Sequence, residues 1–336
     1  MLSMLTTIAP MFLVLVVGFL AGFASRFRGF QGALNAFVFY FGLPAFVFSA
    51  VVAAPPTGRF PVGAVIIAAM VTLALSVGTY GTAHLLGSRA RAGAAPTSLA
   101  ATFGNVGYFG IPITLSTIGP EAALAAGIIH LVHNMIYMTG YPVVRTALGG
   151  AETTPPGPGD AGDTSSEVGF RSAWRRRLWP IVRRAVLLNP IALSMAAALL
   201  VVMTPLAPPQ VFSEGVEMIG QTAVPLALFA VGLAMHPALE GIRSGGVPKR
   251  SIALGTGVKL LLLPGVTWLA VLPFLDHLGP VWAATLVLMA AMPSSTTVFI
   301  FSEEYDGDGR LAAAILVAGT VLSVVTLPMI AELLQI

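Results

Sequence analysis

Apolar stretches of about 20 residues recur along this chain from Leu5 almost to its C-terminus, and a lipid bilayer is the solvent that accommodates them. A helix rises 1.5 Å per residue, so about 20 residues cross a hydrocarbon core of ~30 Å. Ten such segments can be drawn, at approximately 4–24, 31–53, 61–86, 96–118, 121–145, 181–203, 211–235, 250–273, 280–302 and 310–334. Only 9% of the residues are charged, against roughly 25% in soluble domains, so most of the surface is not built for water. The first run lacks a positively charged lead-in, because Arg26 and Arg28 follow it, and it reads as a retained span rather than a cleaved signal. With no cysteine, disulfides, thiolate chemistry and cysteine-ligated metals are excluded.

The connections are short with one exception. Residues 148–172 contain Thr153-Thr154-Pro155-Pro156-Gly157-Pro158-Gly159-Asp160 and further acids, a composition that cannot bury a core. This linker divides the chain into a first half over 1–147, a cytoplasmic linker and interfacial segment over 148–180, and a second half over 181–336. Phe170, Trp174 and Trp179 among Arg175, Arg176 and Arg177 suit the headgroup region ahead of the sixth span. Fifteen of the 17 Lys and Arg fall on one side if both termini face outward, leaving only Arg59 outside and Lys259 within a span. That asymmetry predicts a multi-pass protein of the cytoplasmic membrane with its N- and C-termini outside. The net charge of +3 therefore lies in loops and gives no surface for nucleic acid.

An odd number of spans per half sends the second half into the membrane inverted. Span 2 reads Phe39-Tyr40-Phe41-Gly42-Leu43-Pro44 and span 7 reads Gln221-Thr222-Ala223-Val224-Pro225, each with one central proline. Pro142 near the end of span 5 is echoed by Pro328 in span 10. Stronger interruptions stand in span 4, Gly104-Asn105-Val106-Gly107-Tyr108-Phe109-Gly110-Ile111-Pro112, and in span 9, Met292-Pro293-Ser294-Ser295-Thr296-Thr297. A proline in a helix removes a hydrogen bond and clashes with the preceding turn, at ~3 kcal/mol. In hydrocarbon the freed backbone groups need protein or cavity water. Matching interruptions in two halves therefore point to a midplane binding site of a transporter. The single prolines read equally well as packing kinks.

These strings carry a resemblance to the auxin efflux carrier family, which includes plant auxin exporters and bacterial permeases for malonate and other organic acids. It covers nearly the whole chain: Gly18-Phe19-Leu20, the Asn35 to Pro44 stretch, Asn105 to Pro112, Asn189-Pro190, Val224-Pro225-Leu226, and Met292-Pro293 through Glu303-Glu304-Tyr305. The resemblance implies an all-α integral membrane fold of ten transmembrane helices. They would form two inverted five-helix repeats with broken, crossing helices 4 and 9, similar to sodium/proton antiporters and bile acid symporters. Spans 1, 2, 6 and 7 would form a panel against a transport domain built from the others, and relatives suggest a homodimer. Many relatives carry an asparagine soon after the span 9 proline; Ser294-Ser295-Thr296-Thr297 stands there in this chain.

A broken helix offers unsatisfied N–H groups where its second half begins, and with the helix dipole these attract anions. Pro112 and Pro293 are expected near such starts, with Ser294, Ser295 and Thr296 as caps or ligand contacts. Asn105 donates and accepts at once, which suits a carboxylate; Tyr108, Pro112, Pro293 and Ser294 to Thr297 complete the expected substrate site. Lys259, near half depth in span 8, either neutralises carbonyl ends, binds or gates the anion, or snorkels to the interface. His130, His133 and Asn134 on span 5 are candidates for proton handling or for polar packing, and no third metal ligand accompanies them. Glu303 closes span 9, either reaching back to the site or standing solvated.

The expected function is an alternating-access permease for a small organic anion, a carboxylate or auxin-like acid. A proton gradient or the membrane potential would drive it, without cofactor or metal. Sodium coupling is the alternative, but no dense Asp/Asn/Gln cluster favours it. A channel uses the same broken helices, and an intramembrane enzyme would need a nucleophile–base spacing that the sequence does not display.

Overall fold

The computed structural model describes residues 2–54, 61–141, 183, 188–204, 208–243, 246–304 and 307–334. The interdomain linker, its aromatic–arginine segment, Pro142 and Tyr305 lie outside these residues. The described chain is helical throughout. Its elements are α1 (Leu2–Ala21), α2 (Ser25–Ala53), α3 (Val62–Leu85), α4 (Ala94–Thr102), α5 (106–117), α6 (Pro120–Gly140) and α7 (Pro190–Met203). They continue as α8 (Gln210–Gln221), α9 (Ala223–Arg243), α10 (Lys249–Leu278), α11 (Pro280–Ala290), α12 (Thr297–Glu304) and α13 (Gly309–Leu333).

Among the described residues six segments are long and apolar enough to cross a membrane: Ser25–Ala53, Val62–Leu85, Pro120–Gly140, Gln210–His236, Lys249–Leu278 and Gly309–Leu333. They coincide with the second, third, fifth, seventh, eighth and tenth expected spans. Shorter apolar helices at Ile8–Ala21, Pro190–Met203 and Pro280–Ala290 fall in the first, sixth and ninth. The expected fourth and ninth spans are each divided in two, as α4 with α5 and α11 with α12. Large side chains such as Leu13, Leu20, Met70, Val77, Leu269 and Val325 are exposed, as lipid-facing positions require. Alanines, by contrast, crowd the interior at Ala100, Ala101, Ala126, Ala227, Ala312 and Ala313, letting helices approach closely.

Proline sets much of the local geometry. The residue before each of Pro44, Pro112, Pro142 and Pro264 donates its N–H five residues back: Leu43 to Val38, Ile111 to Val106, Tyr141 to Ile136 and Leu263 to Val258. Each bond closes a π-helical turn, at Val38–Gly42, Val106–Gly110, Met135–Gly140 and Val258–Leu262. At Pro44, Pro112 and Pro264 the wider turn relieves the clash of the proline ring with the carbonyl four residues earlier. Pro225 needs no such turn, because it is the third residue of α9, where backbone N–H groups have no helical partner anyway.

Two groups of helices emerge from the packing. α1 lies along α9, and α2 packs on α7 and α8. A Cβ on Gly18 would strike the Phe229 carbonyl, and one on Gly232 would strike the Leu15 carbonyl, so both glycines are required by the α1–α9 approach. In the other group α3 and α10 flank α4, α10 and α12 pack on α13, and α6 lies along α11. α6 also touches α7, and α13 touches α9, joining the two groups.

Candidate functional site

The two divided spans meet in the interior. α4 ends at Thr102 and α11 at Ala290, and the extended stretches that follow pair as an antiparallel bridge between Gly104 and Ser294. Asn105 N donates to Pro293 O at 2.8 Å, and Ser295 N donates to Phe103 O at 2.9 Å. The broken backbone thus satisfies part of itself, as a non-helical stretch at membrane depth must. Ser294 Oγ adds a bond to Ala100 O at 2.6 Å, tying α4's last turn to the span 9 break.

Three glycines make room for this crossing. Gly104, Gly107 and Gly110 are each met by a side chain from a different helix. A Cβ on Gly104 would stand 2.8 Å from Lys259 Nζ of α10, one on Gly107 3.0 Å from His130 Cε1 of α6, and one on Gly110 2.7 Å from Met289 Sδ of α11. The three-residue spacing is visible in the sequence, yet only the structure tells what enters each notch.

Lys259 is fully buried (0% exposed), and its Nζ donates to Ala290 O at 3.0 Å. An ammonium has three hydrogens to donate. Among the described residues that carbonyl is its one acceptor, and no carboxylate pairs with it. Ala290 ends α11, so Lys259 caps the negative end of that helix while resting against the end of α4. It does not snorkel. The sequence could not separate these alternatives, because they depend on which way α10 faces.

The opening of α5 supplies donors. Its first N–H groups, on Val106, Gly107 and Tyr108, find no acceptor among the described residues, whereas Phe109 N and Gly110 N both bond Asn105 O at 3.1 and 2.9 Å. Asn105 is 3% exposed, at the hinge between bridge and helix. The second half of span 4 therefore starts at Val106, not at Pro112, which lies one turn further on as the second residue of the α-helical part. Similarly, α12 begins at Thr297, four residues past Pro293, whose carbonyl serves the bridge instead. Ser295 caps α12 as expected, its Oγ accepting from Thr297 N at 3.3 Å. Ser294 does not cap, since its hydroxyl is given to Ala100. Thr296 and Thr297 are half-buried beside it.

Other expected residues lie further out. Tyr108 directs its hydroxyl to Asn35 O of α2 at 3.3 Å, linking the broken span to its neighbour rather than facing the crossing. Glu303 is exposed, its carboxylate against Gly309 at the start of α13, and does not reach back to the break. His130, His133 and Asn134 are buried on one stretch of α6, with Asn134 Nδ2 2.9 Å from His130 Nε2. Among the described residues no group of three His, Asp or Glu could hold a metal.

A family model described as membrane transport protein matches residues 3–331. A relative from Rhizobium meliloti (strain 1021), described as "Putative malonate transporter", is 26% identical over 320 residues, covering 95% of this chain and 92% of the relative.

Proposed function

Because the chain belongs to the membrane transport protein family, we propose that it is a secondary transporter that carries a small organic anion by alternating access through the crossing of the two broken spans. A buried lysine that has, among the described residues, one carbonyl partner and no carboxylate carries this reading. A charge at the bilayer centre is unfavourable by ~2.5–3.5 kcal/mol even on the milder scale, so it persists where it has a use. An arriving carboxylate would accept the two unused Lys259 hydrogens and meet the free N–H groups that open α5, with Asn105 between them.

Malonate is the first anion to test, since the relative's description names it, and the two divided spans suit a pair of inverted halves over 1–147 and 181–336. Both termini are read as outside, from the placement of Lys and Arg. Thermal unfolding of the detergent-purified protein, with malonate, succinate, lactate and indole-3-acetate in turn, tests the reading. A ligand of the native state raises the unfolding temperature by mass action. A shift with one anion that is lost in Asn105→Ala supports the crossing as the site. A folded protein that none of these anions stabilises would sink the anion reading. Counterflow in proteoliposomes then separates a carrier, which exchanges, from a channel, which does not.

A further inference from the structure

Two buried imidazoles near the crossing have complementary unused atoms. His133 Nδ1 lies 3.2 Å from Ile129 O, a carbonyl that can only accept, so Nδ1 carries the ring proton and Nε2 is a bare lone pair. That Nε2 is buried and has no partner among the described residues, and His133 is 3% exposed. One turn earlier His130 is the reverse. The Asn134 amide donates to its Nε2, which leaves the proton on Nδ1, also buried and without a partner, beside Gly107 at the opening of α5. Together α6 presents one free donor, suited to an anion, and one free acceptor, suited to a proton.

The groups around His133 make that acceptor conditional. His130 stands one turn away on the same helix, and the Tyr137 ring stands 6.2 Å away, stacked on Phe103 at the end of α4, next to the Gly104 that Lys259 rests against. The other titratable groups on α6 and on the helices packed against it are engaged or outward: Tyr108 bonds Asn35 O, His84 bonds Tyr80 O, Tyr141 stacks on Phe301, and Arg26, Arg28, Tyr40, Tyr80 and Glu121 are exposed. No carboxylate of the described residues faces His133. With the site empty, a positive charge on a buried, unpartnered imidazole in a dry interior is opposed by desolvation. A bound carboxylate offsets that cost.

We propose that His133 Nε2 takes up the coupling proton, so that the anion and one proton bind and leave together. This rests on the crossing being the anion site. A proton from water joins the Nε2 lone pair to give an imidazolium, its charge balanced by the carboxylate; on the far side both depart and the neutral ring returns. His130 donates its Nδ1–H to the anion and does not titrate.

Two measurements on the full-length protein decide it. Calorimetry of malonate binding at about pH 7.5, repeated in buffers of different ionisation enthalpy, reads protons taken up per anion, with about one expected for the wild type. His133→Gln is expected to bind more weakly and take up none. Malonate binding to wild type without proton uptake overturns the proposal, as does uptake that persists in His133→Gln. Nitrogen-15 spectra of labelled histidine, with His133 assigned by its loss in that variant, cover the case in which the variant fails to bind. Without malonate the ring should be neutral with Nε2 bare; with malonate it should become an imidazolium. A proton on Nε2 before malonate, or a neutral ring after it binds, refutes the assignment. Absence of binding by malonate, succinate, lactate and indole-3-acetate alike is the separate failure of the anion reading itself.

Discussion

Replacing Lys259 by methionine separates a binding residue from a structural brace. Methionine keeps an unbranched stem of similar length, so the packing against Gly104 is retained while the charge goes. Relief from burying an ammonium at membrane depth is worth ~2.5–3.5 kcal/mol. Against it stands the charged hydrogen bond to Ala290 O, worth about 1.5–3 kcal/mol. The net expectation is an unchanged or higher stability, by about 0–2 kcal/mol, the usual outcome when an apolar residue replaces a buried charge lacking a good counter-ion. Malonate stabilisation, about 2.7 kcal/mol at a hundred times the dissociation constant, should vanish. Thermal unfolding of wild type and Lys259→Met, with and without malonate, reads both quantities from the same samples. If the variant instead loses more than about 3 kcal/mol and still responds to malonate, Lys259 is a cap for α11 and the argument for the anion site fails.

Glycine substitutions probe the two groups of helices differently. Gly104→Ala places a methyl 2.8 Å from Lys259 Nζ, the far end of a flexible side chain. Stability should change by less than about 1 kcal/mol, while the ammonium is displaced and malonate affinity falls about tenfold or more; unchanged affinity in calorimetry would contradict the placement of Lys259. In Gly232→Ala the methyl meets the Leu15 carbonyl and the Phe19 backbone nitrogen, neither of which can swing aside. That variant should lose about 1–3 kcal/mol, seen as a lower unfolding temperature, and unaltered stability would mean α1 and α9 do not pack as described.

Membrane class and the positions of the divided spans, with Asn105 at the first break, are legible in the sequence, because each follows from local composition. Twenty apolar residues need a bilayer, and Gly-Asn-Val-Gly or Met-Pro-Ser-Ser cannot continue a helix undisturbed. Which backbone groups the breaks satisfy is not local. Pro293 contributes its carbonyl to Asn105, and Ser294 its hydroxyl to Ala100, across nearly 200 residues of sequence. The same limit hides the partner of Lys259 and the difference between His130 and His133, which one helix presents a turn apart with opposite tautomers. Local sequence likewise does not say that the Tyr108 hydroxyl goes to Asn35 of α2, nor which of its two readings Glu303 takes; its carboxylate is exposed against Gly309.

The prolines explain why Lys259 can be where it is. Within a span, a proline that simply replaced another residue would strip one hydrogen bond and push on the turn before it. Here Pro264 is preceded by the π turn Val258–Leu262, and Lys259 is the second residue of that turn. Such a turn holds an extra residue, and one residue is worth about 100° of rotation around a helix. The face that α10 presents to the crossing therefore differs from the face it would present as an uninterrupted α-helix. Val106–Gly110 stands in the same relation to Pro112, and it is this turn whose opening N–H groups find no acceptor among the described residues. Neither turn is announced by hydrophobicity, since both lie within apolar runs. What announces them is a proline five or six residues beyond the residue whose direction it fixes.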